Sequence, residues 1–218
     1  MNGNRAKHLT IPEMASYYSQ NILEIDSEGP YYLGGYSIGG MIMYEIARRL
    51  CEQGKKVALL FILDPTSISN DKNKQELPIQ NLNFLSEYQK LKDIGYVTYF
   101  LEKIDPIKTK FQKQLEQIKI QSYFSLGKSL PVQLHWPYLL EIYKQASLNY
   151  QPEPPLEGIE NAVIVHVNNR EIEDWTSLFN GKINAHAVEC NHLQLIETPY
   201  LYIWLKILKQ TIKRSLGK

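Results

Sequence analysis

Ile11, Met14, Ala15, Tyr18, Ile22 and Ile25 recur at steps of three and four residues, which predicts a helix over 10–25 with one apolar stripe. Thr10 and Glu13 stand at capping-box spacing, and Pro12 falls in the first turn, where a missing N–H costs little. Ser27, Glu28, Gly29 and Pro30 then read as a turn. Residues 31–36, Tyr-Tyr-Leu-Gly-Gly-Tyr, read as a short buried strand. A second helix is expected over 41–53, apolar at its start and charged later at Glu45, Arg48, Arg49 and Glu52, with Gly54 as its left-handed C′ residue. The run from Val57 to Leu63 is uninterruptedly apolar, the pattern of a parallel strand covered on both faces. Strand, helix, strand in this order predicts a right-handed βαβ unit.

Further along, 67–77 is polar and loop-like, and 80–150 alternates helical patterns with breaks at Gly95, Pro106, Gly127, Pro131 and Pro137. A stiff Pro-rich linker follows at 150–155. Apolar strands are expected at 162–167 and 183–189, and a final helix at 198–216, whose Lys209, Lys213 and Arg214 suit the negative end of the helix dipole. The layout predicts a single α/β domain over 1–218 with a helical insertion at about 80–150. The insertion carries Phe84, Tyr88, Tyr96, Tyr99, Phe100, Tyr123, Phe124 and Trp136 among lysines, which suits either a mobile lid over an apolar channel or a small core of the insertion's own.

Composition narrows the function classes. Lys+Arg 24 against Asp+Glu 23 gives a net charge of +1, so no global electrostatic case exists for nucleic acid or an anionic membrane. No apolar run approaches the roughly 18 residues of a spanning helix, and the first ten residues lack a signal-peptide core. Cys51 and Cys190 make no disulfide framework and lack metal-ligand spacing. The expectation is a cytoplasmic domain with no metal and no cofactor of its own.

Gly35-Tyr36-Ser37-Ile38-Gly39 fits the Gly-x-Ser-x-Gly pattern of a serine nucleophile. The pattern alone is weak, but Ser37 follows an expected buried strand and opens an expected helix. A sharp turn of this kind requires small residues at Gly35 and Gly39, and Gly40 lets the helix approach the sheet. Ser37 would stand at the positive end of the helix dipole, with the Ile38 N–H aimed at a developing oxyanion. A serine nucleophile needs a base, and the base an orienting acid. Of five histidines, His192 lies in a short loop between the last strand and the last helix, the place of the base in a Ser…Asp…His order. His8 is in a polar tail, His135 in the insertion, His166 inside an apolar strand and His186 on the opposite strand face. Asp64 ends the strand after the elbow helix, and Pro65 should hold it extended. Asp174, in the loop after the 162–167 strand, is the alternative acid.

The stretch from Ile11 to Pro65 resembles the thioesterase domains of nonribosomal peptide and polyketide synthases, with a looser match through Asn149-Tyr150, Trp175 and Asn191-His192-Leu193. The resemblance implies an α/β-hydrolase-like, mostly parallel sheet flanked by helices, with the insertion as a lid. It implies Ser37 as nucleophile, His192 as base and Asp64 as acid. It further implies an acyl or peptidyl thioester on the phosphopantetheine of a carrier domain as substrate, released by hydrolysis or cyclisation. Two departures stand out. Asn191 replaces a common glycine, and only 36 residues precede Ser37, so the family's N-terminal strands and second oxyanion donor are expected to be missing. The truncation would leave the 31–36 strand as an exposed edge, open to self-association. A generic serine esterase, or an inactive fragment serving as an interaction module, are the alternative readings.

Overall fold

The computed structural model of the chain describes residues 4–68, 112–153, 157–168, 172–179 and 183–217. The capping signal at Thr10 is realised: Thr10 Oγ1 accepts from the Glu13 N–H at 3.3 Å, and the Glu13 carboxylate accepts from the Thr10 and Leu9 N–H groups. Helix α1 (Ile11–Ile25) starts there and buries Ile11, Met14, Ala15 and Ser19. The expected stripe extends too far along it, because Tyr18 is exposed and Ile25 is 89% exposed. Burial weakens along α1, with Ile22 half-buried and Ile25 in solvent.

Strand β1 (Tyr31–Tyr36) leads directly into α2 (Ile38–Glu52), which begins three residues earlier than its sequence pattern predicts. Gly39 and Gly40 argue against helix by propensity, and the turn at Ser37 overrides them. The helix ends as expected: Gly54 adopts φ +71°, and Lys55 donates to the Leu50 carbonyl. Strand β2 (Val57–Leu63) is buried at every position, as a strand covered on both faces must be. Among the described residues, β3 (Ala162–Val167) and β4 (Asn184–Val188) complete a four-stranded parallel sheet in the order β1-β2-β3-β4. Leu59, Phe61, Leu63, Val163, Val165 and Val188 form one core face under the last helix, which contributes Trp204, Ile207, Leu208 and Ile212. Fully burying side chains of this size stabilises by about 1.5–3 kcal/mol each.

The chain divides into two compact units, one of Lys7–Ser69 with Ile142–Lys218, the other of Met1–Ala6 with Asn70–Glu141. The second unit includes helix α3 (112–125) and most of α4 (Val132–Leu148), in keeping with the helical character expected of the insertion. Within it Phe124 meets Tyr138 edge to face, and the Arg5 guanidinium lies 5.0 Å from the Phe124 ring. The expected lid residues Phe84, Tyr88, Tyr96, Tyr99 and Phe100 lie outside the described residues. Residues 173–177, expected as loop, form a one-turn helix, α5 (Glu173–Ser177), and α6 (Tyr200–Ser215) closes the chain. Among the described residues no helix is long and apolar enough to cross a membrane.

A buried charge ties the start of the 150–155 linker to α2. Glu45 accepts from Arg48 Nη2 at 2.7 Å, from Arg49 Nε at 3.1 Å and from the Tyr150 hydroxyl at 3.0 Å. Burial works to raise its pKa, but the Arg48 hydrogen bond and charge, with Tyr150 and Arg49, hold it below the ordinary value. Tyr44 adds a hydroxyl bond to the Glu153 carbonyl, and burial pushes its own pKa up to about 12. A carboxyl with a depressed folded pKa stabilises above its ordinary pKa of about 4.3, and the contribution is lost as pH falls through the folded value. Glu45→Gln should therefore cost about 1–3 kcal/mol at pH 7, less than a fully buried pair because Arg48 and Arg49 keep some contact with water. Urea midpoints should show this deficit closing in acid, below about pH 4. A deficit that stays constant into acid would assign the loss to packing instead.

Candidate active site

The turn between β1 and α2 is tight. Ser37 sits at φ 56° and ψ −126°, in the left-handed region that costs a non-glycine residue energy. The turn is held by the Ser37 N–H donating to the Leu63 carbonyl at 2.8 Å, and by the Gly40 N–H donating to the Ser37 carbonyl at 2.9 Å. Two glycines are sterically required. A Cβ on Gly35 would stand 2.3 Å from the Gly39 carbonyl oxygen, and one on Gly40 would stand 2.6 Å from Ile62 Cγ2. Gly39 departs from expectation: a Cβ there would meet nothing within 4 Å, so the turn does not itself demand glycine at that position. The Ser37 hydroxyl makes no capping bond to α2. Ile38 is the first helical residue, and its N–H belongs to the set with no intrahelical acceptor.

β1 and β2 run parallel with Tyr36 opposite Leu63, so Ser37 and Asp64 leave the sheet side by side at its carboxyl end. Asp64 is fully buried. Its Oδ2 is 2.5 Å from His192 Nδ1, and its Oδ1 accepts from the Val167 N–H at 3.1 Å. Asp64 is not extended, as Pro65 had suggested, but has φ 40°. Its own N–H donates to the Val165 carbonyl at 2.6 Å, and that bond together with the two carboxylate bonds fixes the backbone against its local preference.

His192 lies in the turn after β4, as expected, and is partly exposed, at 33%. Asn191, read from sequence as a mild departure, has a function here. Its Oδ1 accepts from the Gln194 N–H at 2.9 Å, and Gln194 Oε1 accepts from the Asn191 N–H at 3.0 Å. This reciprocal pair starts the short 3₁₀ turn Gln194–Ile196 and fixes the loop that carries His192. The Asn-x-x-Gln spacing was the signal that would have found it. Tyr36 was also missed. Its ring stacks on the His192 imidazole at 4.6 Å and 16°, and its hydroxyl donates to the His192 carbonyl at 2.6 Å.

Asp174 takes part in a different arrangement. Its Oδ2 accepts from the Ser67 hydroxyl at 3.0 Å and the Ile68 N–H at 2.6 Å, and its Oδ1 accepts from the Trp175 N–H. Trp175 is buried and donates its indole N–H to the Thr66 carbonyl at 2.9 Å. Together they fasten residues 66–68, just past Asp64, to α5. Of the other histidines, His166 Nδ1 lies 3.1 Å from the Val167 carbonyl, His135 Nε2 lies 2.9 Å from the Leu130 carbonyl, and His186 is exposed. The Cys190 thiol is pushed up by burial and by the nearby Asp64 charge, which keeps it protonated at neutral pH. Among the described residues no three His, Cys, Asp or Glu side chains gather as metal ligands.

A parallel sheet flanked by helices, with a strained serine between strand and helix and a buried Asp bonded to a partly exposed His at the same edge, defines an α/β-hydrolase fold. The chain belongs to the thioesterase domain family, whose model matches residues 2–208. It is 46% identical over 65 residues to polyketide synthase PksR of Bacillus subtilis (strain 168), covering 30% of this chain and 3% of that one. It is 26% identical over 223 residues to malpinin synthetase of Mortierella alpina, covering 98% of this chain and 2% of that one. The chain thus spans a small fraction of the length of these relatives. The solved NocB thioesterase domain, captured in covalent complex with a fluorophosphonate nocardicin G analog, shares the fold with a TM-score of 0.58 at 19% identity, over 98% of this chain and 77% of that one.

Proposed function

We propose that the chain is a serine thioesterase that takes an acyl or peptidyl chain from the phosphopantetheine arm of a carrier domain and releases it as acid, lactone or lactam. The observation that carries this reading is the 2.5 Å bond from His192 Nδ1 to Asp64, beside a strained Ser37 at the head of α2. Ser37 Oγ attacks the thioester carbonyl while His192 Nε2 takes its proton. Asp64 holds the proton on Nδ1 and stabilises the imidazolium that forms. The Ile38 N–H and the positive end of α2 stabilise the oxyanion. Collapse breaks the C–S bond, and His192 returns the proton to the departing thiolate. Water, deprotonated by His192, or an internal hydroxyl or amine of the bound chain then attacks the acyl-Ser37 ester, and the acyl–Oγ bond breaks as His192 returns the proton to Ser37 Oγ and frees the product. In this reading the chain uses no metal and no cofactor of its own. The phosphopantetheine belongs to the carrier. The covalent fluorophosphonate complex of the similar NocB domain and the multidomain synthases among the relatives support the reading.

The test is kcat/KM on an acyl chain loaded on a holo carrier domain, against a p-nitrophenyl ester of the same acid. A preference of at least about tenfold for the carrier-bound thioester, the equivalent of 1.4 kcal/mol of transition-state binding, is expected. Equal values would favour the generic esterase reading, and mass spectrometry of the product separates hydrolysis from cyclisation.

The reading extends to self-association. Among the described residues β1 pairs only with β2, and a cavity of about 370 Å³ beside it is lined by Gly34, Phe61, Trp204, Leu208 and Ile212. Tyr32 is exposed along that strand. An open strand edge next to apolar surface recruits a further strand, here from a second copy. Sedimentation of the isolated chain should give a dimer or larger species, and Tyr32→Lys should return it to monomer. A wild-type monomer at tens of micromolar would contradict the association.

A further inference from the structure

We infer that Tyr36 is the positioning residue for His192, holding the imidazole by its ring face and the imidazole-bearing loop by its main chain. The inference rests on the reading of His192 as the base. Asp64 contacts the imidazole in its own plane, through Nδ1, which fixes the tautomer but leaves the ring able to swing about that bond. Tyr36 supplies the missing constraint from a second direction. Its ring lies nearly parallel to the imidazole, 16° apart, with centroids 4.6 Å apart. Its hydroxyl reaches past the ring to the His192 carbonyl at 2.6 Å, so one side chain clamps both side chain and backbone of the same residue.

The position of Tyr36 in the chain makes the clamp consequential. Tyr36 is the last residue of β1 and adjoins Ser37, whose N–H is pinned to Leu63. The nucleophile and the imidazole are therefore referenced to the same strand end, although 155 residues separate them in sequence. Catalytic geometry tolerates little error: a misplacement of about 1 Å costs on the order of 10²-fold in rate. The groups that share this environment are Asp64 on Nδ1, Cys190 beside Asp64, and the exposed Glu189 and Glu197 on either side of the loop.

The test is steady-state kinetics on an acyl N-acetylcysteamine thioester, with kcat and KM resolved, for wild type, Tyr36→Phe, Tyr36→Leu and His192→Ala. Tyr36→Leu, which loses both contacts, should lower kcat by about 10²-fold with KM changed less than about threefold. Tyr36→Phe keeps the stack and loses the hydroxyl bond. It should recover most of kcat, falling only about three- to tenfold below wild type, again with KM little changed. A merely structural role would show as a loss of folded protein and not as a fall in kcat at unchanged KM. If His192→Ala is inactive while Tyr36→Leu retains kcat within threefold, Tyr36 does not position the base and the proposed reaction stands. If His192→Ala retains wild-type turnover, the base assignment and the role of Tyr36 fail together. Should Tyr36→Leu not fold, Tyr36→Phe decides alone: a fall of about three- to tenfold in kcat supports the clamp, and an unchanged kcat overturns it.

Discussion

Ser37→Ala should lower kcat by about 10⁴–10⁶-fold, the largest effect expected of any single substitution in this chain. The loss is chemical and not structural. The Ser37 hydroxyl makes no capping bond to α2, and alanine at φ 56° carries the same backbone strain as serine. The thermal midpoint of the variant should therefore match wild type within a few degrees while turnover vanishes. A variant that unfolds would show that the hydroxyl supports the turn, and one that keeps even a tenth of wild-type kcat would place the nucleophile elsewhere. Stopped assays with burst analysis separate these outcomes, because only the acylating enzyme yields a burst before steady state.

The second large effect is expected at the Asp–His pair. His192→Ala should cost about as much as Ser37→Ala, and the double variant little more, because members of such a group act as a unit. Asp64→Asn should lower kcat by about 10⁴-fold, since an amide at this position presents the wrong hydrogen-bonding pattern to Nδ1. Asp64 also accepts from the Val167 N–H, so some loss of stability should accompany it. Asp174→Asn discriminates between the two candidate acids. Its carboxylate fastens Ser67 and Ile68, so this variant should lose stability and keep kcat within about tenfold. If Asp174→Asn inactivates and Asp64→Asn does not, the acid resides in the first turn of α5.

Much of this site is legible in the sequence because its parts are local. Thr10 and Glu13, the apolar run of β2 and Gly54 each announce one element within a few residues, and each appears as its spacing requires. The Gly-x-Ser-x-Gly turn is legible for the same reason, since Gly35 meets Gly39 and Gly40 within its own span. What local pattern does not reveal is set by distant partners. Pro65 predicts an extended Asp64, yet bonds to Val165, Val167 and His192 hold it at φ 40°. Glu45 reads as part of a charged, solvated face, and Arg48, Arg49 and Tyr150 bury it instead. Tyr36 reads as the apolar end of a strand, and only the fold brings His192 under its ring. Asn191 and Gln194 are the exception, a local signal present in the sequence and overshadowed by the histidine between them.

The central claim is that one serine becomes acylated, and active-site labelling tests it most directly. A fluorophosphonate probe reacts with a nucleophile that a neighbouring base has activated. Applied to the intact chain and followed by peptide mapping, it should modify Ser37 alone, and Ser37→Ala and His192→Ala should both abolish the adduct. An adduct on Ser67 or Ser147, persisting undiminished in Ser37→Ala, would contradict the account.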